Sequence, residues 1–241
     1  MKIQLISFSG ELNPNYQIKA VIDIINQSDA DLILFPGHAL RDEDDRKFVE
    51  GFLTNKKVTA IVEMEEDGVM GSPNELFIYR KGKFEDMFTS QIFAKAEEVN
   101  NNEVLVQKLF DELPRRQFTC KGKRFTVLQC GESAIVSGKG DGEFQCKENL
   151  ELNDRFDRLL KETDVFLNPI HTIQGRQNHI SKRRNVLSSE GRYYFSTACP
   201  KKFEQALTLK SLQYICHNGK ELTIKPEIHE EEYYVSRTIE I

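Results

Sequence analysis

Cys130-Gly131-Glu132 sets a nucleophile, a small residue and a carboxylate side by side, directly after Lys123-Arg124-Phe125-Thr126-Val127-Leu128-Gln129. A thiol attacks carbon as the thiolate, so chemistry at Cys130 needs a partner that favours loss of its proton. The residues before it read as a buried strand, led in by Lys121-Gly122-Lys123. In an α/β sheet the carboxyl end of such a strand opens onto the crevice that takes ligands. The competing reading of Cys130 is an inert core thiol. Other candidates carry less. His171 and His179 are eight residues apart with no third ligand at a metal-like spacing, so no metal site is expected. Arg176, Lys182, Arg183 and Arg184 could hold an anionic group, but fit a solvated helix face or a partner contact better. Cys199 reads as packing, and Ser137–Gly142 as a surface connection, because it lacks the phosphate-binding glycine spacings.

Composition narrows the classes. A net charge of −5 argues against a dedicated nucleic-acid partner. No apolar run approaches the roughly 20 residues that span a bilayer. The start, Met1–Ile6, alternates like a strand and lacks a signal-peptide core. Five cysteines, an odd count without a CxxC pair, argue against a disulfide framework or a structural zinc, and point to a reducing cytoplasm.

The elements that must position Cys130 follow from periodicity. Strands are expected at 2–8, 32–35, 57–64, 75–80, 84–93, 123–130, 164–167, 192–197 and 233–239, with a hairpin through Asn218-Gly219. Helices are expected through about residue 28, from the acidic stretch 41–45 onward, over 101–113, around 150–160 and over 177–190. Their inward stripes are Phe48, Val49, Phe52 and Leu53 in the second helix, and Val104, Leu105, Leu109 and Phe110 in the third. The alternation of strands and helices, without a Pro/Ser-rich linker, predicts one α/β domain over 1–241.

Three strand ends then fall in order: Phe35-Pro36-Gly37, Leu128-Gln129-Cys130-Gly131-Glu132 and Leu167-Asn168-Pro169. Between the first two lie Asn74-Glu75-Leu76-Phe77-Ile78, Gly82 and Phe93-Ala94-Lys95. Arg184…Glu190-Gly191-Arg192-Tyr193-Tyr194-Phe195 and the Ser211–Gly219 hairpin follow. This succession resembles the nitrilase, or carbon–nitrogen hydrolase, superfamily over essentially the whole chain. The resemblance implies a four-layer α-β-β-α sandwich, a Glu-Lys-Cys triad, and hydrolysis of a small amide or nitrile without metal or organic cofactor. By position it makes Cys130 the nucleophile and Lys95 the cation, which would favour the thiolate and steady the charge that develops after attack. It also implies a homodimer paired through a helix layer, for which 177–195 is the expected surface.

The chain departs from that pattern at Gly37, where the family's general-base glutamate would stand, followed here by His38. Loss of a positioned acid–base group forfeits roughly a hundred- to ten-thousand-fold in rate. Two replacements stay open. His38 could serve as the base, although its place fits a simple turn residue. Otherwise a carboxylate fills the vacated space, from Glu63, Glu132, Glu97, Glu98 or Glu103. The reading is therefore a hydrolase of amide-type bonds with a relocated base, carried by Cys130, Lys95, Glu132 and His38. Its rivals are a catalytically impaired relative that keeps fold and pocket as a binding or assembly module, and an unrelated α/β protein.

Overall fold

The computed structural model describes residues 1–8, 13–65, 74–171, 177–199, 212–229 and 234–241. Continuous apolar runs become strands covered on both faces. These are β1 (Lys2–Phe8), β2 (Leu32–Leu34), β3 (Thr59–Met64), β7 (Lys123–Val127), β8 (Val165–Ile170) and β9 (Tyr193–Ala198). Lys81-Gly82 turns β4 (Glu75–Arg80) back into β5 (Lys83–Ser90), and Lys121-Gly122 turns β6 (Gln117–Cys120) back into β7. Lys81 and Lys121 both adopt positive φ, at 54° and 49°, each followed by a glycine at 89° and 78°, as tight hairpin turns require.

Amphipathic stretches become helices α1 (Pro14–Gln27), α2 (Glu43–Phe52), α3 (Ala96–Val99), α4 (Glu103–Glu112), α5 (Leu150–Glu162) and α6 (Gln177–Leu187). Side chains cap four of them. Asn13 accepts from the Asn15 N–H at 2.9 Å, Asp42 from Asp45 at 2.8 Å, Asn102 from Leu105 at 3.3 Å and Asn149 from Leu152 at 3.1 Å.

The remaining strands are β10 (Gln213–His217), β11 (Lys220–Glu221), β12 (Glu227–His229) and β13 (Tyr234–Glu240). One sheet runs β12-β13-β1-β2-β3-β4-β5, the other β11-β10-β9-β8-β7-β6. Ile3, Leu5, Leu32, Leu34, Ile61 and Leu76 of the first sheet pack against Phe125, Val127, Val165, Leu167 and Phe195 of the second. Hydrogen bonds cross the same layer: Ser7 Oγ lies 2.7 Å from Thr197 Oγ1, and Gln213 Nε2 donates to the Leu5 carbonyl at 3.1 Å. The outer faces are closed by α1 and α2 on one side, and by α4, α5 and α6 on the other. The result is the expected four-layer α-β-β-α sandwich.

Three expectations need correction. Val49 and Leu53 are buried, but Phe48 and Phe52 are 54% and 57% exposed, ring against ring at 4.8 Å. Val104 faces solvent, while Val106 takes the inward position. In each case a one- or two-residue error in helix phase turns a side chain outward, since each residue rotates by about 100°. The third correction concerns α6, whose cations are not a solvated face. Arg184 is buried, with its guanidinium 3.2 Å from the Tyr214 ring centroid. Arg183 donates to the Val136 carbonyl at 3.0 Å, and Lys182 to that of Gly140. Arg176 and residues 206–211 of the expected C-terminal hairpin lie outside the described residues.

Truncating Leu167, buried between the sheets, to alanine should cost about 2–5 kcal/mol in urea unfolding. Phe48→Ala should stay within about 0.5 kcal/mol, because little of its surface is buried. A large loss at Phe48 would restore the inward stripe rejected here.

Candidate functional site

The carboxyl ends of β2 and β3 in one sheet, and of β7 and β8 in the other, meet at one rim. The backbone fixes their register: Gly37 N–H donates to the Ile170 carbonyl at 3.2 Å, and Leu128 N–H to that of Leu167 at 2.8 Å. Cys130 opens a short 3-10 helix, Cys130–Ile135, with φ of +30°. Such a turn at a strand end lifts the side chain out of the sheet, and Cys130 is only half-buried. Asn168 holds the elbow by donating to the carbonyls of Leu128 and, at 3.1 Å, of Cys130. The Tyr194 hydroxyl in turn donates to Asn168 Oδ1 at 2.7 Å. Gly131 is needed for close approach, because a Cβ there would overlap the Ala94 carbonyl.

His171, the first residue beyond β8, is the group the sequence reading missed. Its imidazole is hydrogen-bonded to the Cys130 side chain and to Glu63, with Nε2 against Glu63 Oε1. It occupies the room that Gly37 leaves. A Cβ on Gly37 would overlap the ring edge and come within 3.0 Å of Nε2. The vacated space is thus filled by an imidazole rather than by one of the proposed carboxylates. Glu63, fully buried on β3, lies behind that imidazole, and its Oε2 accepts from Gln129 Nε2 at 3.0 Å. Burial opposes the charged form of His171. The bonds to Cys130 and Glu63 outweigh it, and raise the imidazole to about 10.

His38 is in the same cluster, with φ of +58°. Its ring stacks on His171 with centroids 3.9 Å apart. Its Nε2 lies 3.0 Å from Asn74 Oδ1 and 3.9 Å from Glu63 Oε1. Burial, and then the neighbouring His171, push His38 below the usual histidine range. The pair therefore divides its roles, His171 charged and His38 neutral. His38, Glu63 and His171 are also the described residues whose donor atoms converge closely enough to hold a metal ion, all within 4.8 Å.

The other expected residues lie elsewhere. Glu132 is fully buried and belongs to the scaffold rather than to the base. It accepts from Ile92 N–H at 2.7 Å, from Gln129 N–H at 2.8 Å and from the buried Arg116 guanidinium. Burial drives its carboxyl upward against the pull of Arg116 and the two amides. Its contacts tie the end of β5, the turn before β6 and the Cys130 elbow into one unit. Lys95 is brought close in backbone, since Ala94 packs on Gly131, but its side chain is exposed. Among the described residues its ammonium makes no hydrogen bond or ion pair, so the expected contact with Cys130 is not made. Glu97, Glu98 and Glu103 are exposed: Glu98 caps the Ala94 N–H at 2.9 Å and Glu103 accepts from Asn149 at 2.8 Å. Cys199 packs beside Gly37, and burial pushes its thiol up to about 12. The signal for His171 lay in its position at the end of β8, the counterpart of Cys130 on β7. Weighing it only against His179 hid that.

Gly37→Ala should displace His171 and slow alkylation of Cys130, read by mass spectrometry. Gly37→Glu should do the same rather than create activity. Unchanged labelling in both would remove His171 from its assigned place.

No family model matches the sequence, and no curated protein does. Solved structures do match the fold. An amidase from Nesterenkonia sp. superposes with a TM-score of 0.57 at 9% identity, covering 99% of this chain and 90% of that one. XC1258 from Xanthomonas campestris, a CN-hydrolase superfamily protein with an arsenic adduct in its active site, gives 0.57 at 13%, covering 100% and 90%. A glutamine-dependent NAD(+) synthetase from Cytophaga hutchinsonii gives 0.54 at 11%, covering 99% of this chain but 42% of its own. At these identities the likeness is one of fold: this chain has the nitrilase-type α-β-β-α sandwich.

Proposed function

We propose that the protein hydrolyses amide-type C–N bonds of small molecules through Cys130, with His171 as the relocated acid–base and Glu63 orienting it. The observation that supports this most is the imidazole set between thiol and buried carboxylate, in space that only glycine at 37 leaves open. A nucleophile, a base within hydrogen-bond reach and a third group holding the base form the arrangement that activates a weak nucleophile. One variant of the amidase from Nesterenkonia sp. carries the acetamide moiety of fluoroacetamide covalently at its active-site cysteine, so a cysteine in a fold of this type can act as a nucleophile.

The steps follow from these positions. With His171 already charged, the Cys130 sulfur attacks the amide carbon as the thiolate. As the C–N bond breaks, the imidazolium gives its proton to the departing amine or ammonia, leaving a thioester. Acylation also removes the thiolate that helps to hold the imidazole in its charged form, so the imidazole can next take a proton from water. Attack of that water on the thioester breaks the C–S bond, returning the thiolate and the carboxylic acid. His38 remains neutral, and packs His171 from its open side.

A second reading, a binding or assembly module without turnover, is favoured by the exposed Lys95, whose ammonium contacts no partner at Cys130. The two separate by experiment. Iodoacetamide at about pH 6.5 should modify Cys130 well before Cys216, whose thiol burial pushes up to about 12. His171→Ala should lower ammonia release from small aliphatic amides by roughly a hundred- to ten-thousand-fold. Selective labelling without any amide turnover would support the module. Amide turnover should decline as pH rises through about 10, where the imidazolium that protonates the leaving group is lost. Alkylation, which needs no acid, should not decline there.

A further inference from the structure

Asn74, His38, His171 and Glu63 converge in a way that a thiol hydrolase does not require. Both imidazoles turn Nε2 toward the same carboxylate oxygen, Glu63 Oε1, one in hydrogen-bond contact and the other at 3.9 Å. The rings lie nearly parallel, 21° apart, so they must tilt toward one another for both in-plane lone pairs to meet one ion. A base needs one such ring. Two rings and a carboxylate from three separate strand ends make a two-histidine, one-carboxylate set, with all donor atoms within 4.8 Å.

We propose that His38, Glu63 and His171 form a binding site for a divalent transition metal, with Zn2+ the best fit. Donors at about 2.0–2.2 Å from zinc stand about 3.3 Å from one another. His38 Nε2 must close slightly on Glu63 Oε1, and His171 Nε2 must open from it. The nitrogen donors disfavour Ca2+ and Mg2+, which take oxygen ligands. A supporting contact is in place on the carboxylate. Gln129 Nε2 holds Glu63 Oε2 at 3.0 Å, leaving Oε1 to the metal. The Asn74 amide, itself bonded to Gln91 Oε1 at 3.1 Å, lies 3.0 Å from His38 Nε2 and 3.1 Å from that of His171, on the atoms the metal would take, and must give way to the ion. The half-exposed His38 gives an ion a way in from solvent.

The site takes the same His171–Glu63 pair that serves Cys130. Metal binding and thiol activation are therefore alternatives, a consequence that rests on the hydrolase reading, whereas the binding itself does not. Isothermal titration of chelator-stripped protein with Zn2+ should show one saturable site per chain. Co2+ should give the visible d–d bands of four- or five-coordinate cobalt. His38→Gln and Glu63→Gln should each weaken Zn2+ by at least about tenfold and remove the Co2+ bands, while His179→Gln should leave both unchanged. Glu63 is fully buried, so its variant counts only where unfolding stays cooperative; His38→Gln, in a half-exposed loop, suffices without it. Absence of saturable heat at millimolar Zn2+ would overturn the proposal. So would equal affinity in wild type and His38→Gln, or loss of binding in Cys130→Ser alone. Alkylation of Cys130 in metal-free protein is unaffected by any of these outcomes, so failure of the metal site and failure of the hydrolase reading are distinguishable.

Discussion

The fully buried carboxylate of Glu63 is the constraint from which the site follows. A charge taken out of water must be matched by donors held in place, or the site does not form. Here the match is made by the His171 imidazole on one oxygen and the Gln129 amide on the other. Gln129 immediately precedes Cys130, so the carboxylate of one sheet is bound to the elbow of the other. The same charge holds His171 protonated, and so places a proton donor against sulfur. Pre-positioned polar groups of this kind need no reorganisation at the moment of reaction, which is why they are effective.

A second buried ion pair does different work. Arg116 and Glu132 are both fully buried, and their bonds join the end of β5, the turn before β6 and the start of the Cys130 helix. Removing one partner of such a pair costs more than the pair contributes, because the other is left charged and unmatched. The rigidity that results matters because the elbow has no slack. Cys130 is held at positive φ, and Gly131 lies against the Ala94 backbone. Glu132, near Cys130 in sequence, therefore acts on the position of that residue.

The place of Gly37 shows how two strand ends compete for one volume. The rim is built from several strand ends, and each points a side chain at roughly the same volume. A large side chain from the end of β2 and the imidazole from the end of β8 exclude one another there. Reduction to glycine at one position admits histidine at the other. The cluster so created sets two imidazoles beside one carboxylate, and that convergence is the basis of the proposed metal site.

Much of this was legible in the chain. The strands that end at Leu34, Val127 and Ile170 follow to within a few residues from apolar runs and turn placement, all local in sequence, while the four-layer sandwich was implied by the family resemblance that the order of these elements carries. Helix phase was legible only in part. Val104, Phe48 and Phe52 are apolar yet exposed, because a residue or two decides which side of a helix is covered. Of the groups around Cys130, Glu63 and His38 were legible as candidates, and His171 was not. Glu63 and His171 are 108 residues apart, on different sheets, and no spacing rule connects them. Lys95 and Glu132, chosen by their place in a linear order, proved to be a surface cation and a scaffold carboxylate. Sequence by itself determined which residues stand at the strand ends, since alternation and turn chemistry act over a few positions. Only the packing of one sheet on the other decided which of those ends share a volume, because burial and steric exclusion depend on distance in space and not along the chain.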